Sequence, residues 1–172
     1  MSERLTVYTI SPSPDSAVAV EIKESGLRKR KHLFVFERYS GELFFDPERP
    51  LETSVKLRIE TASVNEPSAR KLLAVHSDPE ILIESRSFLA KALRGFVAGG
   101  TLRFRGADHD IRANIGFGPV KNGRVHIDAD STALLSRLGL PRRTSLFGLI
   151  HTDDEAVLHA SLWGNSSVSS FL

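Results

Sequence analysis

The 172-residue chain is 41% hydrophobic and 26% charged, with a formal net charge of +2 and no cysteine. This is the balance of an ordinary globular protein of one domain, residues 1–172, long enough to bury a core without cross-links. It excludes disulfides and thiol chemistry, and a charge so near balance argues against nucleic acid as a partner. No run reaches the roughly 18 apolar residues of a membrane span, and the N-terminus has no apolar signal core. The chain therefore reads as cytoplasmic, with no integral membrane segment.

Leu5 to Ile10 opens the chain as a short extended piece, and the turn-rich Ser11–Asp15 follows. From Ser16, Val18, Val20 and Ile22 alternate with Ala17, Ala19, Glu21 and Lys23, which predicts a strand broken at Glu24–Gly26. The basic run Arg28, Lys29, Arg30, Lys31 and His32 comes next, then the apolar Leu33–Phe36. The run reads as a solvated loop or, more sharply, as a dock for an anionic headgroup, a phosphate or a phospholipid surface. Ser40-Gly41 predicts a turn and Glu42–Phe45 a short strand. Asp46–Pro50 ends that strand, because its two prolines lack an N–H donor. In Ser54–Ala62, Val55, Leu57 and Ile59 face one way and Lys56, Arg58 and Glu60 the other, as in a strand with one wet face.

Residues 63–79 give the one helix signal. Pro67 suits a first turn, Ala69, Leu72, Leu73 and His76 follow helical spacing, and Pro79 ends it. Too short to stand alone, it must pack on one end of the sheet. Ile81–Ser85 resumes strand character, and Ser87–Arg94 lies between a helical turn and an irregular link. The strongest hairpin signal is Thr101–Phe117. Leu102 and Phe104 alternate with polar residues on one limb, and Ile111, Ala113, Ile115 and Phe117 do so on the other. Gly106–His109 is the predicted reversal, and Gly99-Gly100 a predicted bulge in a strand that begins at Phe96.

Asn122-Gly123 predicts a two-residue turn. From Arg124 to Leu135, Val125, Ile127 and Ala129 oppose His126, Asp128 and Asp130. Ser136–Ser145 is a basic loop, Leu146–Ile150 a short apolar run, His151–Asp154 a turn, and Glu155–Trp163 a final strand before a Ser-rich tail expected to be loose. About eight to ten antiparallel strands with one short helix predict an all-β fold. An eight-stranded antiparallel barrel leaves no exposed edge; a sandwich is the alternative.

No pattern supports catalysis. There is no Gly-x-Ser-x-Gly elbow, and Gly116-Phe117-Gly118 lacks the remaining features of a phosphate loop. Asp153-Asp154 has no apolar pocket to separate the pKa values of its carboxyls. His126, Asp128 and Asp130 share a strand face, but same-face neighbours lie about 7 Å apart, long for ligands bound at about 2.0–2.6 Å to one ion. No enzyme activity, cofactor or metal is expected. What remains is the inward face of the barrel, which is apolar. It either packs solid or keeps a cavity for one apolar ligand.

Several blocks resemble the YceI-like family. They are Tyr8–Ile10, Gly41–Pro47, Val55–Ser63, Pro79–Ser85, Gly100–Gly106, and Asp128–Thr132 with Leu138–Leu140. They stand in family order and span about Tyr8 to Trp163. The resemblance implies an extended lipocalin-like barrel, often dimeric. Such a barrel encloses the tail of a polyisoprenoid, quinone-like or fatty-acyl amphiphile by binding, not catalysis. On that reading Val18, Val20, Phe34, Phe36, Val55, Leu57, Ile59, Ile83, Leu102, Phe104, Ile111, Ile115 and Ile127 line a tunnel. Arg28, Lys29, Arg30, Lys31 and His32 meet the headgroup. The competing expectation is a solid-core barrel acting as a protein-interaction or stress-response module.

Overall fold

The computed structural model describes residues 6–73, 75–91, 95–140, 144–145 and 149–166. The alternating segments form strands β1 (Thr6–Ile10), β2 (Ala17–Gly26), β3 (Arg30–Phe36), β4 (Tyr39–Phe45), β5 (Ser54–Glu60) and β6 (Glu80–Ala90). They continue as β7 (Phe96–Phe104), β8 (Ala107–Phe117), β9 (Arg124–Leu134), the short β10 (Thr144–Ser145) and β11 (Ile150–Ser166). One helix, α1 (Pro67–Leu72), lies between β5 and β6.

Neighbouring strands pair antiparallel in the order β1-β4-β5-β6-β7-β8-β9-β11-β2-β3, and β1 also pairs β11. The long β11 meets β2 along Ile150–Ser161 and β1 along Gly164–Ser166. β1 and β2 therefore act as one broken stave, and β3 with β4 as another, since β3 pairs β2 and β4 pairs β1. With β5, β6, β7, β8, β9 and β11 this makes a closed eight-stranded barrel. Tyr39, almost fully buried, shares a hydrogen bond with Ser16 and ties the two breaks together.

The central hairpin pairs from Phe96↔Ile115 to Phe104↔Ala107. Its reversal is Arg105-Gly106, both at positive φ, so Ala107 to His109 belong to the strand and not to the turn. Asn122-Gly123 makes the predicted turn in the same left-handed conformation.

Other glycines sit within paired strands and not at turns or bulges of their own. Gly41 lies inside β4, not in a turn; a Cβ there would run into the Lys56 carbonyl oxygen of β5. At Gly100 a Cβ would likewise run into the Glu84 carbonyl, and at Gly99 it would lie 2.8 Å from Ser87 Oγ. β7 passes both glycines in register with β8, and the irregularity lies opposite, between Ser85 and Ser87 of β6. Close backbone approach, as well as turning, selects glycine in strands.

Strands also run on past three predicted breaks. β2 continues through Glu24–Gly26, β6 takes in Ser87–Ala90, and β11 starts at Ile150 and absorbs His151–Asp154 across a register shift. Ladder pairing on both flanks overrides weak local propensity. In the tail, Gly164–Ser166 close the barrel on β1, while 167–172 lie outside the described residues, as does most of Leu146–Ile150. The helix is shorter than 63–79. It has Pro67 in its first turn and stops at Leu72, before a run of poor helix formers from Val75 to Asp78.

Candidate functional site

The barrel interior is closed at one end by rings. Phe117 stacks on Phe45 with centroids 4.4 Å apart, and Phe96 and Phe88 surround it at 5.8 and 6.3 Å. Tyr8 packs on Phe45 from β1. All five residues sit where their strands reach the end of the barrel opposite α1, and together they form a floor.

Above the floor lies an apolar chamber of about 110 Å³. Val55, Leu57, Ile111, Ile115 and Ile127 line it. A second chamber of about 70 Å³, with only apolar lining residues, lies towards α1, and Val20, Phe34, Phe36, Leu102 and Phe104 line it. Val18, Ile59, Ile83 and Leu158 border both chambers and form a waist between them. Each of the thirteen residues expected to face inward thus borders one chamber or both. The interior is neither one open tunnel nor a solid core. It is two small voids in line, below the roughly 300–1,000 Å³ of typical ligand pockets, so a long chain has to spread the waist to pass.

The roof of the upper chamber is built from elements whose role the alternation did not show. Ala69 and Leu72 of α1 with its C-cap Leu73, and Leu135, Leu138 and Leu140 of the loop after β9, close over it. Arg105, at the tip of the central hairpin, holds these parts together. Its guanidinium donates to the Gly139 carbonyl at 2.6 Å and the Leu72 carbonyl at 3.2 Å, and it lies 3.4 Å from the Asp78 carboxylate. The only sequence hint of this clamp was an arginine next to a turn glycine.

A mouth of about 320 Å³ opens between β3 and α1. There the outer edge of β3 is bonded only near Val35 and Phe36, to Val64 and Asn65, among the described residues. Ile22, Phe34, Ala69, Leu72 and Leu135 line both mouth and upper chamber and form the thin partition between them. The rim is polar and of mixed charge, with Glu24, Lys31, His32, Glu66 and Ser68. Of the basic run, Lys31 and His32 reach this rim, whereas Arg28, Lys29 and Arg30 do not line it. The run is also not a plain loop, because Arg30 to His32 belong to β3.

Glu24 organises the rim. Its carboxylate lies 3.0 Å from His32 Nε2 and accepts from Arg28 at 3.3 Å. Desolvation pushes its carboxyl up, but the hydrogen bonds and charges of His32 and Arg28 outweigh this and hold it below its ordinary value.

A groove of about 430 Å³ marks a seam in the wall, where β8 and β9 pair only from Ala113↔Ser131 to Phe117↔Ile127. Beyond that point they diverge, and Asp108, Asp110, Arg137 and Glu155 border the gap. On the outer wall His126, Asp128 and Asp130 do not converge on one point. His126 contacts Ser161 and Asp128, while Asp130 pairs with His159. No group of three metal-ligating side chains occurs among the described residues. No helix among them is long and apolar enough to cross a membrane.

No protein-family model and no curated protein matches the chain. Solved structures do. Burkholderia cenocepacia BcnA superimposes with a TM-score of 0.72 at 14% identity, over 86% of this chain and 95% of that one. A polyisoprenoid-binding domain from Saccharophagus degradans, implicated in plant cell wall breakdown, gives 0.65 at 12% identity, over 93% and 99%. The Campylobacter jejuni YceI protein gives 0.58 at 22% identity, over 77% and 83%. The order of strands, the closure of β11 on β1 and these superpositions agree with the resemblance of the sequence blocks: the chain has the YceI-like barrel fold.

Proposed function

We propose that this protein binds and carries a long-chain amphiphile, of the polyisoprenoid, quinone-like or fatty-acyl kind, without catalysing its conversion. The observation that carries the reading is the succession of apolar-lined voids that runs from the mouth through the upper and lower chambers towards the aromatic floor. The tail lies along this path and the headgroup stays at the polar rim. Burial of a tail of several hundred Å² contributes on the order of 10 kcal/mol gross, before ordering and waist-opening costs reduce it. The polyisoprenoid-binding domain with the same fold supports this ligand class.

The test is titration of delipidated protein with prenyl and acyl amphiphiles, read by tryptophan emission and calorimetry. Saturable one-to-one binding is expected, with affinity rising with chain length. Phe104→Asp and Ile115→Asp place a charge in the path and abolish it; Leu158→Trp narrows the waist and weakens binding of long tails, and circular dichroism checks that each variant folds. Unchanged binding in these variants contradicts the path.

The small chamber volumes favour a second reading, a filled barrel whose outer surface contacts a partner. Absence of any amphiphile binding by folded wild-type protein selects it.

A further inference from the structure

At the tip beside the mouth, Gly26 stands at φ +106° and its missing Cβ leaves room for the Leu149 carbonyl. Leu27 then donates its N–H to that carbonyl at 2.8 Å. This fixes Leu27 and Leu149 next to each other, yet their side chains are 72% and 54% exposed. Leu33, on the mouth itself, is 55% exposed. Two leucines this open, held side by side at one tip, are unusual where scattered single ones are ordinary.

Between Leu27 and Leu33 runs Arg28–Lys31. Glu24 takes Arg28 at 3.3 Å and Glu21 takes Lys31 at 3.6 Å. Lys29 and Arg30 are exposed and have no acidic partner among the described residues. Uncommitted cations beside protruding leucines match a layer of anionic headgroups above hydrocarbon. A soluble acidic partner would match the charges but would need a fitted apolar pocket for each leucine; a bilayer needs none.

We infer that the β2–β3 tip docks on an anionic lipid bilayer, with Leu27 and Leu149 entering the headgroup boundary and Lys29 and Arg30 meeting lipid phosphates. The mouth between β3 and α1 then opens at the membrane surface, where an amphiphile passes between bilayer and barrel. The docking stands on the tip alone; the exchange rests on the proposed binding in the barrel.

Co-sedimentation with phosphatidylcholine–phosphatidylglycerol vesicles, and with pure phosphatidylcholine vesicles as control, tests the docking. Binding to the anionic vesicles only is expected, weakening at high salt. The substitutions K29E and R30E together lower partitioning by at least about 10-fold, as loss of charges worth about 5-fold each demands. L27S and L149S together lower it by about 10-fold or more. These positions are exposed, and circular dichroism confirms the folded state of each variant. Wild-type protein that stays in the supernatant, or binding that survives either double substitution, overturns the inference. So does capture by polyglutamate beads without vesicle binding, which assigns the tip to an acidic protein instead. Native mass spectrometry with an added prenyl amphiphile reads barrel occupancy in the same samples. Vesicle binding with an empty barrel refutes the carrier reading and leaves the docking intact.

Discussion

Phe45 and Phe117 stack across the end of the barrel with their planes 20° apart. They come from β4 and β8, strands that are not neighbours in the sheet, so the pair spans the barrel's width and closes it. A ligand entering at α1 therefore meets a floor, not an exit.

The floor makes chain length measurable. Affinity rises by about 0.8 kcal/mol per methylene while the tail descends, then levels off when the tail reaches the rings. Phe117→Ala deepens the chamber, so the plateau shifts to longer chains. The same change costs about 2–3 kcal/mol of stability, at or below the low end for a phenylalanine because Phe117 is only partly buried. Calorimetry with a homologous series and urea unfolding check the two halves.

Arg105 joins the central hairpin to both roof elements through the Gly139 and Leu72 carbonyls. Arg105→Gln removes these bonds, the one to Gly139 exposed and the one to Leu72 part-buried. Stability falls by about 0.5–1.5 kcal/mol, and amphiphile dissociation quickens as the roof loosens. Stopped-flow displacement separates the rate effect from the loss of stability.

The strand glycines are fixed by contact. Gly41→Val and Gly100→Ala each drive a Cβ into a carbonyl oxygen of the adjoining strand. Each destabilises the barrel by about 1–3 kcal/mol, in contrast to Gly116→Ala, where a Cβ meets nothing within 4 Å. Thermal unfolding of the three variants compares them directly.

Acid loosens the rim. Glu24 is held below its ordinary value by His32 and Arg28 against the upward push of desolvation. A carboxyl lowered in the folded state contributes stability that is present above its unfolded pKa and lost as pH falls through the folded one. Asp108, held down by its hydrogen bond from Arg103, and Asp46, held down chiefly by the Glu48 N–H, act with the same sign. The melting-temperature gap between wild type and Glu24→Gln is therefore open near neutrality. It closes as pH drops from the ordinary carboxylate range through the lowered value.

Much of this fold is legible in the chain because a barrel imposes one rule on every strand. Period-two alternation put Val55, Leu57 and Ile59 inside, and the same rule placed Leu102, Phe104 and Ile111 correctly. What alternation does not encode is distance along the axis. It could not tell that Val18 and Ile83 pinch the interior into two chambers, or that Phe45 and Phe117 meet across it. Nor does it mark residues whose part depends on tertiary approach, such as Gly41, whose neighbour is a carbonyl on β5, or Arg105, which reaches past its own turn. The basic run was visible at once, but its company was not. Only the fold brings Leu149 beside Leu27, across more than a hundred residues of sequence.

Native mass spectrometry of gently purified protein, followed by solvent extraction of the released species, tests the carrier reading most directly. One apolar amphiphile per barrel is expected, lost from Phe104→Asp and retained by a folded surface variant. A protein of bare mass, still bare after incubation with prenyl and acyl amphiphiles, contradicts it.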